Sequence, residues 1–216
     1  MKRLILVLAI VCLTSMAFGA SFSAWVGMTG EGKFALNPFI YVPTSFDGIT
    51  LDLAVAYGFS GNIDVIANLS SLSFSSAGFG WGGAWIMPRY DLGSAGLLPY
   101  NIIALQLGYL GNLLASLQYH TLIKPIDIFG IEFNASVSYL APDFISLGAI
   151  IAPVVNIFGP LSIYFEFDPS FAISPESGFG YTLIGGIDLN FGSAGELSLG
   201  YNITSSTIVA WYFIVF

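Results

Sequence analysis

Hydrophobic and polar residues alternate one by one along most of this chain, most clearly between residues 161 and 203. Leu161, Ile163, Phe165 and Phe167 alternate with Ser162, Tyr164, Glu166 and Asp168. After a Ser-Pro-Glu-Ser-Gly turn, Phe179, Tyr181, Leu183, Ile187, Leu189 and Phe191 share one face. Gly180, Thr182, Gly186, Asp188 and Asn190 share the other. Beyond a Gly-Ser-Ala-Gly turn, Leu197, Leu199, Tyr201 and Ile203 resume the alternation. Successive side chains of a strand point to opposite faces, so a period of two predicts strands.

The same reading gives candidate strands at 21–28, 34–42, 50–59, 62–74, 79–90, 100–109, 113–123, 128–139, 145–157, 161–171, 179–191, 196–203 and 208–216. Breakers such as Gly61-Asn62, Gly111-Asn112, Pro142-Asp143 and Gly159-Pro160 fall between them. Most candidates have the length a tilted strand needs to cross a bilayer, about ten residues. Segment 21–28 is short, and Trp25 breaks its phase. Single-chain bacterial barrels have even strand counts. The expectation is therefore an all-β, antiparallel up-and-down transmembrane barrel of about twelve strands, with ten or fourteen as alternatives. Closure follows from the solvent, because an open sheet edge cannot persist in hydrocarbon. The longest connections, 43–49 and 91–99, leave no room for a plug domain or an inward-folded constriction loop.

Composition agrees. The chain is 56% hydrophobic and only 8% charged, against about 25% charged in an average soluble protein. Helical spans are disfavoured, since 25 Gly and 10 Pro interrupt nearly every apolar window. After Lys2 and Arg3, only Lys33, Arg89 and Lys124 are basic, too few to orient several helices.

Residues 1–19 read as a secretory signal: Lys2 and Arg3, then an apolar run over 4–13, then Ala17-Phe18-Gly19 before a cleavage point. The remainder, 20–216, reads as a single barrel domain. The lone Cys12 falls inside the signal, so no disulfide or thiolate site is expected in 20–216. All 13 acids lie beyond the signal. That acidity excludes a nucleic-acid partner, which needs a basic surface.

At the end of the chain Ile208, Ala210, Tyr212, Ile214 and Phe216 share a face. A last strand of this pattern, ending on phenylalanine, resembles the assembly signal of bacterial outer-membrane β-barrel proteins of the small porin-like kind. The resemblance implies export, residence in the cell outer membrane, contact with its lipid, and insertion by the assembly machinery through Tyr212, Ile214 and Phe216. Trp211 and Phe213 depart from that pattern by making the inward face apolar too.

Parity assigns the two faces. Leu51, Leu53, Val55, Tyr57 and Phe59 look outward, as do Phe79, Trp81, Trp85 and Met87. The inward set is small or polar: Asp52, Asp64, Asn68, Gly82, Ala84, Gln106, Ser116, Gln118, His120, Glu132, Asn134, Glu166, Asp168 and Asp188. Such a wall predicts a narrow bore, unless Ile86, Ile150, Val154 and Tyr164 close it. Ionisable groups are costly at membrane depth and so are functional candidates. An acidic ring would favour cations. Asp52 and Asp64, near strand ends, are expected as hydrated rim groups. Glu166, Asp168 and Asp188 could hold a hard cation, but no ligand-loop spacing supports it, so neither a metal site nor a cofactor is expected. His120 is the only histidine, and no nucleophile elbow accompanies it, so an enzyme is not expected. The function predicted is passive diffusion of small solutes or cations through a mildly acidic lumen. A scaffold barrel without transport and a channel for small apolar molecules are the alternatives.

Overall fold

The computed structural model describes residues 28–216. The signal and nearly all of candidate strand 21–28 lie outside the described residues. Twelve antiparallel strands form one closed barrel. In chain order they are β1 Phe34–Pro43, β2 Gly48–Ser60, β3 Ile63–Ser75, β4 Gly78–Asp91, β5 Asn101–Tyr109 and β6 Leu113–Ile126. β7 Phe129–Leu140, β8 Phe144–Phe158, β9 Leu161–Ser174, β10 Gly178–Asn190, β11 Glu196–Asn202 and β12 Thr207–Val215 complete the circuit. Each strand pairs with its chain neighbours, and β1 pairs with β12 to close the seam. Phe216 N–H donates to Phe34 O at 2.8 Å, and Phe34 N–H to Phe216 O at 3.3 Å, at the foot of that seam. Closure gives strand backbones partners without exposing an edge, as a membrane requires.

Both ends of the strand circuit and the turns after β2, β4, β6, β8 and β10 lie at one rim, called here the terminal rim. The longest connection, 92–100, is there too. Asn101 organises it: its amide Nδ2 donates to Gly93 O at 2.7 Å, and its Oδ1 accepts from Tyr119 OH at 2.6 Å.

Alternation of exposure follows the sequence in most strands. Leu53, Val55, Ile103, Leu105, Leu107, Phe165, Tyr181 and Leu199 face outward, while the residues between them are shielded. β4 corrects the expected parity. Phe79 and Trp81 are outward, but Trp85 and Met87 are buried inside and Ile86 faces out. The phase slips at Gly82-Gly83, where Gly83 takes a φ of 143° that side chains disfavour. β3 slips at the matching point, Ser71, which opposes Gly82 and is also at positive φ. Asp52 explains how this bulge is held: its Oδ1 accepts the Ser71 N–H at 2.5 Å. Ala84 therefore shares the outward phase of Ile86 and is not a small inward residue, and Trp85, Met87 and Arg89 face the interior beyond the slip.

Candidate functional site

The interior of the barrel is the candidate site. Asp52, Asp64, Gln106, Gln118, His120, Asn134, Glu166, Asp168 and Asp188 are all buried on the inner face, and Glu132 is half-buried there. The structure divides them into three groups.

The first is an ion pair near the terminal rim. Arg89 Nε donates to Asp64 Oδ1 at 2.8 Å and Nη2 donates to Oδ2 at 2.6 Å. Both side chains are completely shielded. Thr29, from the segment preceding β1, donates its N–H and Oγ1 to Asp64 Oδ2 at 2.8 and 2.9 Å. Asp64 is thus a fully engaged acceptor inside the barrel, and Asp52 is a bulge anchor. Neither is the hydrated rim group expected. The sequence reading did not place Arg89 on the inner wall; it shares the parity of Trp85 and Met87, which were expected to face lipid. A signal existed: a charged side chain is costly against lipid and favours the interior, so Arg89 turns inward and its parity mates go with it.

The second group is neutral. Gln118 Nε2 donates to Gln106 Oε1 at 2.7 Å. His120 Nε2 lies 2.9 Å from Gln118 Oε1, and Asn134 Nδ2 lies 3.1 Å from the His120 ring nitrogens. Ser138 Oγ donates to Ser116 Oγ at 2.9 Å. These side chains form an amide and hydroxyl ladder across β5, β6 and β7. His120 is a member of that ladder.

The third group is acidic. Glu166 and Asp168 are neighbours on one face of β9, and Glu132 of β7 and Asp188 of β10 also face the interior. Glu166 Oε1, both Asp168 oxygens, Asp188 Oδ1 and Glu132 Oε2 are buried without a hydrogen-bond partner among the described residues. No set of three or more acidic or imidazole groups is gathered tightly enough for a metal among the described residues.

Large side chains share the interior with these groups. Tyr164 and Trp211 have ring centroids 5.6 Å apart, and Phe39 and Trp211 6.1 Å. All three are buried. They form one buried apolar cluster with Trp85 and Met87, Arg89 is buried in the interior as well, and Ile150 lies in a second cluster. Of the four predicted closing residues, Tyr164 and Ile150 do close in, Val154 is partly buried against the core, and Ile86 faces outward.

At the chain end Tyr212 OH donates to Ala194 O, and Phe216 lies exposed beyond the seam.

No family profile and no curated protein matches this sequence. Solved structures do match. The barrel is similar to the NanC porin in a rhombohedral crystal form, with a TM-score of 0.62 at 5% identity, over 83% of this chain and 97% of that one. It is similar to the KdgM porin, with a TM-score of 0.60 at 7% identity, over 84% and 98%. KdgM has also been solved in complex with disordered oligogalacturonate. The COG4313 outer membrane channel from Pseudomonas putida F1 matches with a TM-score of 0.60 at 9% identity, over 89% and 98%. The fold of this chain is therefore that of the bacterial outer-membrane β-barrels.

Proposed function

We propose that this protein is a narrow outer-membrane channel for passive diffusion of small cations. It is exported by cleavage of residues 1–19 and inserted through its Tyr212, Ile214 and Phe216 strand. The observation that supports the reading is the set of acidic side chains on the inner wall. Asp52, Asp64, Glu132, Glu166, Asp168 and Asp188 face inward, and Arg89 is the one lysine or arginine among the described residues that joins them, already paired to Asp64. The remaining carboxylates attract cations and repel anions by the ordinary logic of charged pores. His120 sits in a neutral ladder, which fits a wall and not a catalytic centre.

Current through planar bilayers containing the purified protein tests the reading. A reversal potential in a KCl gradient that tracks potassium supports it, and one that tracks chloride refutes it.

A second reading, a scaffold barrel without transport, is favoured by the packing of Phe39, Trp211 and Tyr164 in the interior. Under it, the same bilayers carry no current at any voltage.

A further inference from the structure

The segment before β1 does not leave the barrel by the shortest route. Instead it turns into the lumen at the terminal rim. Gly58 shows where it lies. Gly58 is on the inward face of β2, and a Cβ built there would stand 1.8 Å from the carbonyl oxygen of Gly30. The backbone of the segment therefore presses on the inner wall where a side chain would otherwise project. It is held by backbone bonds to the same residue: Gly32 N–H donates to Gly58 O at 2.9 Å, and Gly58 N–H to Lys33 O at 3.0 Å. Glu31 bridges Gly58 in parallel. One strand further round, Thr29 reaches Asp64 with its N–H and its hydroxyl, both on the oxygen that also accepts from Arg89 Nη2. Thr29 is buried, only 5% exposed. The segment thus runs from β1 across β2 to the ion pair of β3 and β4, inside the mouth.

We propose that residues 29–33 are a latched strap that obstructs the terminal-rim mouth of the lumen, with Asp64 as the latch. This rests on the channel reading above. The strap is suited to release: its contacts with the wall are a few hydrogen bonds, and segments with so few contacts open locally at low cost. Asp64 keeps its ion pair with Arg89 when the strap leaves, so release strands no buried charge.

The test uses the full chain in lipid vesicles and planar bilayers, with folding checked by heat-modifiable gel mobility. In the unaltered chain, the Thr29 amide, which donates to Asp64 Oδ2, is expected to exchange its hydrogen for deuterium about tenfold slower than in the urea-unfolded chain. G58V denies the strap its seat. It is expected to abolish that protection and to raise the current several-fold. If G58V does not fold, T29V serves instead. It removes one of two bonds to a charged acceptor, enough to raise the undocked fraction about tenfold and the current with it. Unprotected exchange of the Thr29 amide in the folded, unaltered barrel overturns the strap. So does a measurable wild-type current that the folded variants leave unchanged. No current in any of the proteins refutes the channel reading itself, and the gate falls with it.

Discussion

Tyr164 and Gly200 lie against each other inside the barrel, although they sit on strands separated by β10. A Cβ at position 200 would stand in close conflict with the Tyr164 hydroxyl, and one at Gly186, the β10 residue paired to Tyr164, would meet the same ring end at 2.5 Å. Ser198 Oγ is 3.4 Å from that hydroxyl. The two glycines therefore make a shelf in the wall, and the tyrosine lies on it where a larger wall residue would have pushed it into the lumen.

The shelf predicts a coupling. G200A should destabilise the barrel by about 1–3 kcal/mol, the usual cost of overpacking. Y164F removes the conflicting oxygen, so G200A should cost less in that background, with a coupling of about 1 kcal/mol. Guanidinium unfolding of the four proteins in vesicles, followed by tryptophan fluorescence, measures it. An additive cycle would mean that Tyr164 does not occupy the shelf.

Strand number, closure and most outward faces were legible because one physical rule wrote them: large apolar groups at every second position for the lipid. The inward face obeys several rules at once, and there the reading weakened. Gly82-Gly83 and Ser71 reset the phase, and a periodic count cannot see a bulge. That one slip hid Trp85, Met87 and Arg89, and with Arg89 the partner that takes Asp64 out of the rim. β1 hid more of the filling: Phe39 is inward on a strand apolar on both faces, where parity alone does not say which face meets lipid, whereas Trp211 of β12 was read as inward and is. The carboxylates were found because charge has only one tolerable direction in a membrane wall. Their division into anchor, ion pair and cluster depends on contacts between distant strands, which no local pattern carries.

The Asp64–Arg89 pair should behave as a buried ion pair with no water to fall back on. R89M leaves the Asp64 charge enclosed with only Thr29 beside it, and should cost about 3–5 kcal/mol. Replacing both members, as D64L/R89M, should cost much less than the two single changes together, because no stranded charge remains. Unfolding midpoints in guanidinium, chosen over heat to keep the transition reversible, test this. Equal losses in R89M and the double variant would show that packing of the arginine stem, and not its charge, is what matters.

Charge selectivity should follow β9. E166Q/D168N removes the two adjacent inward carboxylates while keeping their size, so packing is preserved. The ratio of potassium to chloride permeability should fall toward unity. D52N, aimed at the bulge anchor, should leave the ratio nearer its original value and lower stability instead, since Asp52 is committed to the Ser71 N–H. Reversal potentials in a tenfold salt gradient separate the two. A ratio that drops with D52N and not with E166Q/D168N would move the selecting charge from β9 to β2.

Phe216 joins two roles that a pair of variants can pull apart. Its backbone completes the seam with Phe34, while its side chain is exposed, 70% by area, and packs on little. F216A keeps both seam bonds, so refolding into pure lipid vesicles should proceed nearly as in the unaltered chain. If the side chain is what the assembly machinery reads, F216A should nevertheless reach the outer membrane of cells at markedly lower abundance. Deleting Phe216 removes the seam bonds as well and should impair both measurements. Fractionation of cells beside gel-shift refolding in vesicles gives the comparison. Normal cellular abundance of F216A would leave the terminal residue with a seam role only, and would put any recognition of the strand on Tyr212 and Ile214.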